Sequence, residues 1–255
     1  MSGPSPLARM SVDDFRHVAL DEVGSTNTEC LARARAGDPG HLWITAGRQT
    51  DGRGRRGRAW RSERGNLYAS LLVIDPAPLE MIPSLPLAVA VAVRDAMQAV
   101  LPAGARTADI KWPNDILIGG KKTCGILLEG ERLPDGRYAL VIGCGINVAT
   151  APDHGLYPLT DLRSEGSAAS AEDVFAHLFM SMADTLGIWD AGRGIGDIIA
   201  LWRRYAVGIG RPITVNLPDR SITGIFDDID GSGQLILTDE HGMRRHIAAG
   251  DVFFG

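Results

Sequence analysis

The sequence predicts an α+β fold: a body of strands and helices followed by a small all-β module. Three observations carry this expectation. Short strand patterns bounded by Gly, Pro, Asn and Asp recur between residues 17 and 146, one pair of them joined by a hairpin signal. Helical periodicity appears at 30–36, 84–101, 171–186 and 195–205. From Arg211 onward the texture changes to short strands broken by Leu217-Pro218-Asp219, Asp230-Gly231-Ser232-Gly233 and Glu240-His241-Gly242. A boundary near 207–210 follows, giving expected domains 1–207 and 208–255.

In order along the chain, residues 1–12 hold a glycine and two prolines and read as disordered. Residues 17–23 alternate as a strand, and Ser25, Thr26 and Asn27 precede a helix, with Glu29 three residues after Thr26 as in a capping box. Residues 41–46 form a buried strand, 66–74 another, and 84–101 a helix apolar on nearly all sides, with Pro86 in its first turn. Residues 110–114 return as a strand. Gly119-Gly120 then turns 116–118 into 121–129 as a hairpin. Residues 138–142 form a strand that runs into Gly143-Cys144-Gly145. The stretch 149–169 is long and rich in Pro, Gly and Ser, which predicts a lid or a segment ordered by ligand.

Composition narrows the function. The chain has 255 residues, 45% apolar and 22% charged, so a sizeable core can form. A net charge of −5 argues against a general nucleic-acid binder. Cys30, Cys124 and Cys144 are an odd number with neither CxxC nor Cys/His spacing, so neither a disulfide framework nor a zinc site is suggested and a reducing compartment is expected. No signal peptide and no membrane span are legible, so a cytoplasmic protein is expected.

Against this acidic background, residues 52–58 (GRGRRGR) pack four arginines and three glycines between two strands. Such a loop cannot join a core, and its glycines make order costly, so it is expected to be mobile until an anion arrives. The 26 basic residues include only three lysines, Lys111, Lys121 and Lys122, all within twelve positions. A compact ammonium that approaches one oxygen suits such a cluster. No P-loop or GxGxxG motif is present, so guanidinium forks and loop amides are the available anion binders. Asp115 reads equally as a turn cap or as a ligand for Mg²⁺.

Taken together, GRQTDGRGRRGRAW, NLYASLLV, KWPNDILIGGKKTCGILLE and GCGINV resemble the bacterial biotin protein ligases, from about Val18 to the end of the chain. The resemblance implies a class II synthetase-like central mixed/antiparallel sheet packed by helices, with an SH3-like C-terminal β-barrel, in the short form without a DNA-binding domain. It implies ATP and Mg²⁺ as cofactors, biotin as substrate and a biotin carboxyl carrier protein as partner, and leaves a homodimer open. Lys122 would bridge the biotin carboxylate and the α-phosphate, with Arg55 as the second catalytic group. Ser25, Thr26, Asn27 and Gln49 would hold the ureido ring, alongside Arg53, Gly54, Gly125 and Gly143. Arg53, Arg55, Arg56, Arg58, Trp60, Asp115, Lys122 and Asn147 would take the adenylate, Trp60 by stacking on adenine. Departures from the family pattern are Asp51, the lone Gly65 and Cys124. A lipoate protein ligase and an RGG-type nucleic-acid binder are the alternatives.

Overall fold

The computed structural model describes residues 12–152 and 158–254. The disorder expected for 1–12 falls outside the described residues except at Val12. Seven strands form the main sheet: β1 (Arg16–Leu20), β2 (Leu42–Ala46), β3 (Leu67–Ile74), β4 (Ala108–Lys111), β5 (Asp115–Ile118), β6 (Lys121–Arg132) and β7 (Tyr138–Ile146). Their order is β1-β2-β3-β7-β6-β5-β4, with β1 and β2 parallel and every other pair antiparallel. The parallel pair requires a crossover, which α1 (Thr26–Arg35) supplies.

The helices are distributed by the two faces of β3. Leu67, Ala69, Leu71 and Val73 point into the core shared with α2 (Leu85–Ala99), α3 (Ala171–Trp189) and α4 (Ile195–Tyr205). Leu72 and Ile74 point the other way, against Cys30 and Ala34 of α1. A strand covered on both sides must be apolar throughout, and all of β3 is buried. One polar exception, Ser70, becomes important below.

Five more strands, β8 (Pro212–Asn216), β9 (Ser221–Ile229), β10 (Leu235–Asp239), β11 (Arg244–Ile247) and β12 (Asp251–Phe254), form a wholly antiparallel sheet in the order β11-β10-β9-β8-β12. Its inward residues Ile213, Val215, Phe226 and Leu235 belong to the same continuous core as α2 and α4. Trp112 Nε1 donates to Gly233 O at 3.1 Å across the junction.

Four expectations need correction. The α1 start is no capping box: Ser25 is the N-cap, so Glu29 lies one residue too far along and pairs with Arg33 at 2.8 Å instead. The capping box occurs at α3, between Ser170 and Asp173. Residues 112–114 leave the sheet in a turn containing a cis Trp112-Pro113 bond. β7 continues through Gly143-Cys144-Gly145, so that motif lies inside a strand, not after it. Of the supposed lid, 153–157 lie outside the described residues, but the rest is anchored. Lys122 N donates to Pro158 O at 2.8 Å, Thr160 N to Lys122 O at 3.1 Å, and Leu162 is wholly buried.

Candidate active site

Alternation along β7 carries Ala139 and Val141 under α1, then Gly143 under its first turn at Asn27 and Gly145 beside Trp60. Gly125 of β6 sits opposite Gly145. A Cβ at Gly143 would run into the Asn27 amide, one at Gly145 would lie 2.6 Å from Trp60 Nε1, and one at Gly125 2.9 Å from the same ring. These glycines are in extended strand, and their role is space: Asn27 and Trp60 lie directly on the sheet where side chains would otherwise stand. The sequence motifs give Gly125 and Gly143 a site role but assign none to Gly145.

The N-terminus of α1 is fixed by a polar cluster. Gln49 Oε1 accepts from Thr26 N at 2.9 Å and from Thr26 Oγ1 at 3.1 Å, while Gln49 Nε2 donates to Ser62 Oγ at 3.0 Å. Ser70 Oγ donates to Asn27 Oδ1 at 2.6 Å and lies 2.7 Å from Thr26 Oγ1. Asn27 Nδ2 donates to Glu129 Oε2 at 2.8 Å. Among the described residues, Ser25 Oγ accepts only a long cap bond, 3.5 Å, from Thr28 N. Its hydroxyl proton therefore remains available to a ligand. Ser70 was legible as the one hydroxyl at the centre of an apolar strand; Glu129 carried no local signal.

Lys122 reaches the same cavity through a β-bulge. Ile116 pairs with Cys124, but the next residue, Leu117, pairs with Lys122, leaving Thr123 as the extra residue in β6. Strict alternation from Gly125 would put Thr123 over the cavity and Lys122 in the core; the bulge exchanges them. Lys122 Nζ donates to Asp115 Oδ1 at 2.7 Å and lies 5.9 Å from the Trp60 ring centre. Cys124, on the opposite face, is fully buried, and burial pushes its thiol well up. Lys111 is also buried, which pulls its ammonium below the usual range, with its Nζ 5.7 Å from the Phe253 ring centre.

The GRGRRGR loop takes a defined turn conformation. Gly54 N donates to Arg58 O at 2.7 Å and Trp60 N to Gly52 O at 2.8 Å, closing a short 3-10 turn over Arg55–Gly57. Arg56 and Gly57 take positive φ of 58° and 68°, a tight reversal that glycine at 57 accepts without strain. The protein supplies the anions. Arg53 binds Glu129 through Nη2 at 2.9 Å and Nε at 3.2 Å, and Thr28 Oγ1 at 2.8 Å. Arg55, Arg56 and Arg58 all bind Asp251 at the start of β12. Burial pushes the Asp251 carboxyl up, but the three guanidinium groups, Arg58 foremost, outweigh it and hold it below the usual carboxylate range. Asp51 is exposed, and nothing in the structure explains an acid there.

These elements enclose a cavity of about 510 Å³. Every residue given a site role from the sequence lines it except Arg56, which reaches Asp251 without facing the cavity. Asn147 contributes from a buried position, its Nδ2 donating to Thr160 O at 3.2 Å. Gly145, Cys144 and Asp251 are lining residues that sequence reasoning missed. Five cationic residues, Arg53, Arg55, Arg58, Arg61 and Lys122, line one glycine-floored space, an arrangement suited to a ligand with an anionic centre.

Comparison with known proteins follows the same two-part layout. Residues 23–147 match the biotin/lipoate A/B protein ligase family and residues 208–255 the biotin protein ligase C terminal domain. The biotin–[acetyl-CoA-carboxylase] ligase of Paracoccus denitrificans is 36% identical over 244 residues, 92% of this chain and 99% of that one. The biotin protein ligase of Aquifex aeolicus in complex with biotin and ATP superposes with a TM-score of 0.77 at 26% identity, covering 93% of this chain and 97% of that one. The biotin protein ligase of Leishmania major with biotinyl-5-AMP gives a TM-score of 0.64 at 27% identity, covering 92% and 99% respectively.

Proposed function

The chain belongs to the biotin/lipoate A/B protein ligase family, and from that premise we propose how its cavity works. It is an ATP-dependent biotin protein ligase. In the first half-reaction a carboxylate oxygen of biotin bonds to the α-phosphorus of ATP and pyrophosphate leaves, giving biotinoyl-5′-AMP. In the second, an acceptor lysine amine bonds to the acyl carbon, AMP leaves, and the amine sheds a proton.

The observation that carries this reading is the convergence of Lys122 and the loop arginines on one glycine-floored cavity. Two anions must meet in the first step, so cationic donors aimed at the reacting phosphate offset their repulsion and the charge that develops there. Lys122 spends one N–H on Asp115, and its other two bridge the biotin carboxylate and the α-phosphate. Arg53 and Arg55 line the anion path, and Arg56 and Arg58 hold the loop closed. The α1 cluster with Ser25 as its available donor receives the ureido ring, and Trp60 and Asn147 bound the adenylate side. Excluding water then protects the mixed anhydride.

Mg²⁺ fits Asp115. No group of three or more His, Cys, Asp or Glu gathers among the described residues, but Mg²⁺ needs only one or two carboxylates beside the phosphates of its nucleotide. When bound it would neutralise phosphate charge. The same reading assigns residues 1–207 to a catalytic domain and 208–255 to an SH3-like one. It also places the enzyme in the cytoplasm, with a biotin carboxyl carrier domain as acceptor. No described helix is long and apolar enough to cross a membrane. Against the nucleic-acid alternative stand the net charge of −5 and the place of Arg53, Arg55 and Arg58 on the wall of a cavity.

ATP–pyrophosphate exchange tests the assignment. Biotin, not lipoate, should drive exchange, and Lys122→Ala should lower it by at least about a hundredfold, the scale of losing one transition-state donor. Lipoate-driven exchange would reassign the substrate, and near wild-type exchange in the variant would remove Lys122 from its role.

A further inference from the structure

We propose that Asp251 is a positioning residue for adenylation: it gathers Arg55, Arg56 and Arg58 into one preassembled cluster at the cavity wall, ready for the nucleotide phosphate. This rests on the ligase reading above and extends it to a residue of the C-terminal sheet.

The loop alone would not assemble this way. Three like charges within four positions repel, and the flanking glycines make any single conformation entropically costly. Asp251 supplies the compensating anion from a rigid support. Its neighbour Val252 is buried in the common core, β12 is paired along its length with β8, and the Asp251 side chain is only 8% exposed. Arg55 Nη2 lies 3.3 Å from Oδ1 and Arg56 Nη1 3.1 Å from Oδ2, and Arg58 Nη2 also binds Oδ2. Each guanidinium carries five N–H donors, whereas a carboxylate accepts about four bonds in all, so Asp251 cannot saturate the three. The cluster keeps a net positive charge while Asp251 itself faces the cavity. Asp251 thus orients the cations without cancelling them.

Asp251→Asn, isosteric but uncharged, is the test. In the ligand-free protein, proteinase K with mass mapping should cut within residues 52–60 about tenfold faster, the effect of losing a charged hydrogen bond. In biotin-dependent exchange the KM for ATP should rise by a similar factor while the Kd for biotin stays constant, and biotinoyl-AMP should escape faster. Asp251→Glu should recover part of each effect. Unchanged loop cleavage and adenylate retention would overturn the proposal, and so would tighter ATP binding, since Asp251 would then be a competing anion. The ligase reading fails separately, through absence of biotin-dependent exchange in the unaltered protein, whereas loop cleavage reads Asp251 whatever the substrate. Should the Asn variant not fold, Arg56→Gln, which removes the pair made by the most exposed of the three arginines, must raise cleavage part way; no change there also overturns the proposal.

Discussion

Glu129 illustrates what a single side chain does here. One carboxylate holds the Asn27 amide with Oε2 and the Arg53 fork with both oxygens, tying the first turn of α1 to the arginine loop. Glu129→Gln keeps the shape but halves the acceptors and removes the charge, so Arg53 loses its bidentate partner. The expected result is a rise in the KM for biotin of about tenfold with a much smaller change in kcat, measured in the exchange assay. An equal fall in kcat with KM unchanged would mean that Glu129 acts on the transition state instead. Residues of this kind mark the limit of the sequence. Ser25, Asn27 and Lys122 stand in motifs, but Glu129 and Asp251 matter only because the fold brings them to residues 76 and 193–196 positions away.

At the scale of elements, helices and strands were legible from periodicity and turn chemistry. The Gly119-Gly120 hairpin is an example, with φ of 57° and 78° as a primed turn requires. Two features escaped because they depend on packing between elements. The bulge at Thr123 has no sequence signature, yet it decides which face Lys122 occupies. The run Gly143-Cys144-Gly145 reads as following the end of a strand, since glycine weakens one; it stays in β7, where Asn27 and Trp60 occupy the vacated space. Gly145→Ala should therefore leave the strand formed but lift the Trp60 ring away. The expected readouts are a shift of tryptophan emission toward longer wavelength and a KM for ATP raised more than that for biotin. Unaltered emission would show that Trp60 does not rest on that glycine.

Over the whole molecule, the two sheets behave as one structural unit because they share one core: Phe226 and Leu235 of the C-terminal sheet are packed in the same cluster as α2 and α4. Phe226→Ala should cost about 3–5 kcal/mol and lower the midpoint of the entire unfolding transition, seen alike by near-UV circular dichroism and calorimetry. Two resolved transitions would show that the sheets unfold separately. Acid adds a second constraint. Burial pushes the Asp230 carboxyl up, but bonds from Ser232, His246 and Gln234 bring it down to about 2, and Asp251 is likewise held below the usual range. A depressed carboxylate pKa stabilises the fold above the unfolded value of about 3.9, and that contribution is lost as pH falls through the folded value. These two groups therefore leave the melting temperature and the loop's protease resistance unchanged between about pH 8 and 5 and withdraw support only below about pH 4. Because Asp251 belongs to both the β12 anchor and the arginine cluster, loop protection and the global transition should fail over the same acid range. Loop cleavage that rises near pH 6 would instead trace the ordering of residues 52–58 to a group other than Asp251.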